Sequence, residues 1–342
     1  METRQRTACF FSNGNGENLR KEQYSIQDID ILRDLGFTVQ IAANFAQIPW
    51  NSDLYFSWWA TGSVLPLLKA RARGRPIIVV AGGNEAMRYR DSRSGEPLGY
   101  LASPWYKKIA ARLTLRYATK VLVVSEFMLD DVRQLGARDP LVIHNSVDRR
   151  RFRPAQIRRE FVTSIFNLDE SVVELKRGDV FIKAIPLVLR EFPEQQFRVI
   201  GRKGDAFERI HRNAVALGIS DRLTFLGYID NAAVPGWLQR SKAYVQISDT
   251  ETFGVTIAEA MSCGTPVLVS RRGAIPEIVG DDGSYVDHND ERSVADGIVR
   301  ILRLSPVEQD RIGAQGVERI DRLFTFEQRR DRIKKLVEEV LP

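Results

Sequence analysis

Short apolar runs alternate with longer stretches of helical spacing over nearly the whole chain. Residues 7–12 (TACFFS), 37–42, 53–59 (DLYFSWW), 77–81, 120–125 and 141–145 are rich in β-branched and aromatic residues and read as strands. Between them, residues 24–35 carry Ile26, Ile29, Leu32 and Leu35 on one stripe, and 64–72, 105–118 and 126–135 also have helical spacing. The pattern restarts with strands at 161–166, 197–200, 223–226, 243–247, 266–269 and 284–286. Helices are predicted at 179–192, capped by Asp179, and at 232–240, 255–263, 291–304 and 324–341. Strands apolar throughout and separated by helices build parallel sheets covered on both faces. With 342 residues there is room for two such units. The expected class is α/β, with two doubly wound parallel sheets.

The stretch 248–269 (SDTETFGVTIAEAMSCGTPVLV) concentrates the chemistry. A buried strand at 243–247 feeds a polar loop, Phe253 and Gly254 turn the chain, and a helix follows until Gly264 and Pro266 stop it. Glu251 stands in the loop and Glu259 about one turn inside the helix. Both can face the crevice beyond the carboxyl edge of the sheet, where open α/β sheets bind ligands. Between them lies the helix start, whose free N–H groups around Phe253, Gly254 and Val255 suit a phosphate. Glu259 sits in an apolar segment, where a carboxylate needs a partner. A carboxylate accepts paired hydrogen bonds from a diol. A phosphate with a diol on each side describes a nucleotide-sugar.

Composition narrows the field. Cys9 and Cys263 are too few for a disulfide framework, which points to a reducing cytoplasm, and three scattered histidines suggest no metal cage. The start METRQRT lacks a signal-peptide apolar region, and no run is long enough to span a membrane. Asp28 and Asp30 form a DxD pattern, read as a solvated helix face and not a metal site. The second strand ends IAAN, without the acidic residue a dinucleotide site wants. Residues 1–150 hold 21 Lys and Arg against 15 Asp and Glu, so the front half is basic. That leaves an anionic lipid surface, an acidic glycan or a nucleic acid open as partner. In residues 105–118 the stripe Ile109, Leu113, Tyr117, flanked by Lys108, Arg112 and Arg116, reads as core-packed with a solvated basic face. A surface-lying membrane helix is the alternative. Residues 88–99 are polar and read as a mobile loop.

ETFGVTIAEAMSCGTPV resembles the E-x7-E signature of glycosyltransferase family 4, retaining enzymes of the GT-B fold. RGAIPEIVG (272–280) resembles the next motif of that family. VIHNSVDRRRFRP resembles its boundary segment, with Ser146 in place of a glycine, and LGYLASPWYKK (98–108) the acceptor-side segment of polysaccharide-type members. The resemblance implies a GT-B architecture, two Rossmann-like domains facing a central cleft. An acceptor domain would span 1–153 and a donor domain 154–323, with the helix of 324–342 crossing back to the first. It implies transfer of a sugar from a nucleotide-sugar, UDP- or GDP-linked, to a glycan, lipid-linked or other hydroxyl acceptor. No cofactor or metal is expected. Glu251, Lys176 and Glu259 would carry the reaction. Thr252, Phe253, Gly254, Val255, Glu277, Gly201, Arg202, Tyr228 and Ile229 would hold the donor. Gly14, Gly16, Asn84 and Glu85 would line the acceptor side, with Gly82 and Gly83 letting backbone approach a ligand. The family's arginine upstream of Lys176 is missing; residues 167–175 form a long acidic loop instead. Arg177, Arg202 or Lys203 would substitute. Two rivals are a non-catalytic nucleotide-sugar binder and a GT-B epimerase; the second would need acid–base groups including histidine, and the first half offers only His144.

Overall fold

A computed structural model describes residues 5–13, 23–281 and 283–341. In chain order the elements are β1 (Thr7–Ser12), α1 (Gln23–Asp34), β2 (Thr38–Ala42), β3 (Leu54–Trp58), α2 (Val64–Ala72), β4 (Ile77–Ala81), β5 (Arg88–Arg90), β6 (Pro97–Gly99), α3 (Trp105–Tyr117), β7 (Lys120–Val123), α4 (Leu129–Gln134) and β8 (Leu141–Val142). There follow β9 (Phe161–Ile165), α5 (Glu170–Leu175), α6 (Gly178–Leu189), β10 (Gln196–Ile200), α7 (Phe207–Ala216), β11 (Leu223–Gly227), α8 (Val234–Gln239) and β12 (Ser241–Gln246). The chain ends with α9 (Val255–Ser262), β13 (Val267–Ser270), α10 (Ile275–Val279), β14 (Ser284–Val286), α11 (Glu291–Arg303), α12 (Pro306–Leu323) and α13 (Phe326–Val340). Two compact units result, one of residues 1–146 with 326–342, the other of 147–325.

The first unit holds a parallel sheet in the order β2-β1-β3-β4-β7-β8. Its central strands β3 and β4 are buried at every position, as helices on both faces require. The chain order reverses between β1 and β3, the switch point of a flavodoxin-like sheet. The second unit has the order β11-β10-β9-β12-β13-β14, again all parallel. That is the doubly wound order 3-2-1-4-5-6, with its switch point between β9 and β12. Its core is mostly aliphatic with a few phenylalanines, and Phe181, Ile185, Val245, Leu268 and Ile298 are among its most buried members. Cys9 and Cys263 are free and buried, and burial pushes both thiols up to about 12.

Several expectations need correction. The unit boundary falls at Ser146/Val147, not after Arg153. Val147 donates to the carbonyl of Phe324 at 2.9 Å and pairs with Thr325, which ties the linker to the second unit. Residues 88–99 are not an irregular loop. Their ends pair as an antiparallel hairpin, and Asp91 closes its turn by accepting from the backbone of Arg93 and Ser94 at 2.8 Å. The acidic segment after β9 contains α5. Asp179 does not cap α6; the cap position is Arg177, left-handed at φ 52°. The whole of α12 escaped the periodicity, although Ser305 and Glu308 form a complete capping box at its start. Asp28 is not solvated: it is wholly buried beneath Arg329 of α13 and the Trp58 indole. The α3 stripe Ile109, Leu113, Tyr117 faces out, and the helix buries Ala111, Thr114 and Leu115 instead.

Candidate active site

The switch point of the second unit gathers the site. Beyond β12 the chain runs through Ile247 to Glu251; beyond β9 it passes α5 to Lys176. The amide of Asp249 donates to the Leu175 carbonyl at 2.8 Å and stitches the two segments together. Lys176 Nζ then bonds Glu251 Oε1. The same oxygen accepts from Gln246 Nε2 and from Ser248 Oγ, each at 2.6 Å. Glu251 Oε2 takes no protein donor among the described residues.

A buried ion pair supports this loop. Arg177 and Asp249 are wholly buried and lie 3.2 Å apart, and Arg177 also donates to the Glu174 carbonyl at 2.8 Å. Asp249 further bonds His288 Nε2 at 2.9 Å, while its carbonyl accepts from Arg272 Nε at 3.1 Å. The loop lies so close to Gly273 that a Cβ there would stand 2.6 Å from the Glu251 nitrogen and carbonyl oxygen. Only glycine fits, and its φ of 57° suits no other residue well.

Helix α9 starts at Gly254, left-handed at φ 95°, and no side chain caps it. Its first N–H groups and the positive end of its dipole are therefore open to an anion. Phe253 anchors the turn, buried and edge-on against Phe324 at 5.6 Å. Ile257, Ala258, Ala260 and Met261 bury one side of the helix, and Val255, Thr256 and Glu259 form its half-buried side. Glu259 has no hydrogen-bond partner among the described residues. Burial pushes its carboxyl up to about 8, against the opposing pull of the Arg151 charge. Tyr244 lies in the field of both glutamates. Burial first, then the charges of Glu251 and Glu259, hold its phenol far above the usual range, and its hydroxyl bonds Gln246 Oε1.

The expected donor residues are placed as follows. Thr252 and Val255 flank the uncapped turn, half-buried. Gly201 ends β10 pressed on the chain after β9, where a Cβ would stand 2.0 Å from the Phe166 carbonyl oxygen. Its smallness serves backbone packing. Arg202 is exposed and paired with Asp169 at 2.8 Å. Lys203 lies over the Phe207 ring at 4.4 Å. Arg177 cannot replace the missing arginine at the surface, because Asp249 holds it in the interior. Tyr228, 65% exposed, and half-buried Ile229 follow Gly227 at the end of β11. Glu277 lies in α10, its carbonyl accepting from Arg319 at 2.8 Å. Tyr244, Gln246, Ser248, Asp249 and Arg272 were not singled out. Three polar residues, Gln246, Ser248 and Asp249, closing an apolar strand were the signal available.

In the first unit, Gly14 and Gly16 lie outside the described residues. Asn84 is exposed and Glu85 half-buried in a tight turn after β4. Glu85 Oε1 accepts from the Ala60 amide at 3.2 Å. Burial nevertheless pushes this carboxyl up to about 7, opposed by the amides of Glu85, Ala60 and Gly83. Gly82 and Gly83 are small for a reason within the unit. A Cβ on either would meet the Trp58 or Trp59 ring at 2.4 Å, so the glycines admit indoles. Trp59, left-handed at φ 71°, donates to Ser12 Oγ at 3.1 Å across the switch point of this sheet. Among the described residues no group of three His, Cys, Asp or Glu side chains could hold a metal ion.

The family described as glycosyl transferases group 1 matches residues 170–319, and glycosyltransferase family 4 matches residues 17–151. The chain is 27% identical over 258 residues to a D-inositol 3-phosphate glycosyltransferase of Streptomyces bingchenggensis, covering 70% of this chain and 56% of that protein. It is 32% identical over 153 residues to a phosphatidyl-myo-inositol mannosyltransferase of Mycobacterium leprae, covering 44% of this chain and 40% of that protein. The matches thus span about half the length of these relatives. The crystal structure of Anabaena Alr3699/HepE in complex with UDP and glucose superposes with a TM-score of 0.78 at 17% identity, covering 97% of this chain and 100% of that one. The shared fold is GT-B.

Proposed function

The chain belongs to the glycosyltransferases of group 1 and family 4, and from that premise we propose that it moves a sugar from a nucleotide-sugar to an acceptor hydroxyl with retention at the anomeric carbon. The observation that carries this reading is the contact of Lys176 with Glu251 at the switch point of the second sheet, beside an uncapped helix start. The donor's diphosphate lies on the N–H groups at Phe253, Gly254 and Val255. Lys176 turns from Glu251 to that diphosphate and stabilises the charge that develops as it leaves, without an obligatory metal. Glu251, relieved of its lysine, accepts hydrogen bonds from sugar hydroxyls. Glu259 accepts from the ribose diol. Tyr228 and Ile229 border the base, and Arg272 adds positive charge beside the loop.

The UDP and glucose of the Anabaena complex support a UDP-linked donor, with a GDP-linked one as the alternative. The inositol-based names of the two relatives support a hydroxyl-rich, phosphate-bearing acceptor, met by Asn84 and Glu85 of the first unit. Two free buried cysteines suit a reducing cytoplasm.

The test is release of UDP or GDP from a panel of nucleotide-linked hexoses, with and without inositol phosphates and glycans. The wild type should consume one donor, and Lys176→Ala and Glu251→Ala should each lose at least about a hundredfold in turnover. A chain that binds a donor but never breaks it would be a binding protein. One that changes the sugar's configuration without transferring it would be an epimerase.

A further inference from the structure

Helix α3 turns a continuous apolar stripe away from its own unit. Trp105 is 73% exposed, Tyr106 55%, Ile109 49%, Leu113 42% and Tyr117 43%. At 3.6 residues per turn these five side chains fall within about 120° of arc. Arg112 lies at the Trp105 edge of the stripe and Arg116 just inside that edge, both exposed, and Lys107 is exposed in the first turn. Residues 105–119 contain four basic side chains and no acidic one. Helix α2 packs beside α3 and adds Arg71, which donates to the Tyr117 carbonyl through Nε at 3.1 Å and Nη2 at 2.7 Å. Exposed Arg73 and Arg75 follow. Scattered exposed apolar residues are ordinary, but a stripe of large ones bordered by one sign of charge marks a docking surface.

We propose that α3 lies in the plane of an anionic phospholipid bilayer, with its stripe at the acyl boundary and its cations on the headgroup phosphates. The chemistry selects this occupant. Trp and Tyr rings settle at the headgroup level, and arginine matches phosphate through paired donors. A helix of 13 residues is about 20 Å long, too short to cross a bilayer but long enough to lie on one. A second copy seated on this face would bring two sets of four cations together with no acid between them, which disfavours self-association.

Co-sedimentation of the full chain with vesicles tests the assignment. The lipids are phosphatidylcholine alone, or an equal mixture of phosphatidylcholine and phosphatidylglycerol. No nucleotide or sugar is added, so the result stands apart from the transfer reaction. The wild type should bind the mixed vesicles and not the neutral ones, less so as salt rises. Each of Arg112→Ala and Arg116→Ala should weaken binding about fivefold. The pair Ile109→Glu and Leu113→Glu should abolish binding while the melting temperature stays put. The tryptophan emission should shift to shorter wavelength on the mixed vesicles, and Trp105→Phe should remove most of that shift. Failure to bind the mixed vesicles, or binding unchanged in the double glutamate variant, would overturn the proposal. So would a concentration-dependent dimer that the same variant dissociates, because the stripe would then be an interface between copies.

Discussion

Arg177 and Asp249 face each other at 3.2 Å with both side chains wholly buried, and each is a near neighbour in sequence of a site residue. Lys176 precedes the arginine; Glu251 follows the aspartate by two positions. The pair therefore fixes the spacing at which lysine and glutamate meet. Removing the arginine leaves the Asp249 carboxylate with only His288 at 2.9 Å and Arg272 at 3.8 Å, which costs up to about 3–5 kcal/mol, whereas an apolar pair of similar volume is close to neutral. Arg177→Ala should lower unfolding stability in urea by that amount. Arg177→Met with Asp249→Leu should recover most of the loss yet lower donor turnover, because the loop then keeps its backbone bond to Leu175 but loses the side-chain tie that sets its register. Full turnover in the double variant would make the pair a stability element only.

On the proposed donor pose, Glu259 gives nucleotide affinity a pH dependence. Its carboxyl titrates near 8 in the free protein, so it is mostly protonated at neutral pH. A ribose diol donates to the ionised form, so binding favours proton loss. UDP affinity, measured calorimetrically, should rise as pH rises towards 8, by up to about tenfold per unit, and level off above it. Glu259→Gln should bind weakly with no such slope. An identical slope in that variant would assign the proton to another group.

Glu85 gives a stability signal of its own. Its folded value of about 7 lies above the ordinary 4.5, so between those limits the folded state holds more protons than the unfolded one. Its contribution to stability is then complete below about 4.5, falls as pH rises to about 7, and is constant beyond. Glu259 acts in the same sense up to about 8, so the difference between wild type and Glu85→Gln is the quantity to read. The variant should melt higher than wild type at pH 8, and its advantage should shrink at pH 5.

Much of this was legible because local patterns carried it. Apolar strands with short helices between them specify parallel sheets, and the glycine turn between Glu251 and Glu259 specifies a helix start, which the structure leaves without a side-chain cap. What was not legible depended on partners distant in sequence. Nothing near Arg177 distinguishes a guanidinium bound for the interior from one that meets phosphate; Asp249, seventy-two positions later, decides it. That Gly82 and Gly83 make room for indoles was equally hidden, because Trp58 and Trp59 come from another strand and its end. The α3 stripe has the spacing of a core face, and only the fold shows that Ala111, Thr114 and Leu115 were chosen to face inward.

The longest of these hidden partnerships joins α1 to the last helix. Arg329 Nε and Nη2 grip the two oxygens of Asp28 at 2.7 and 2.8 Å, and Nη1 reaches the carbonyls of Ile143 and His144 at 2.9 and 2.8 Å. Trp58 Nε1 adds a bond to Asp28 at 2.9 Å, so the carboxylate accepts three donors out of contact with water. A parallel guanidinium–carboxylate pair of this kind holds direction as well as charge. It ties α13, whose buried residues are Arg329, Ile333, Leu336 and Val337, to the first unit, beside an exposed bond from Lys120 to Glu339. Asp28→Ala would leave Arg329 charged and unpaired in the interior, at a cost of about 3–5 kcal/mol. Asp28→Asn keeps the shape and one acceptor oxygen, so it should cost less. Limited proteolysis should cut the alanine variant ahead of Phe326 well before the wild type, with the asparagine variant between them. Equal cutting of all three would place the hold on α13 in its apolar residues and not in this pair.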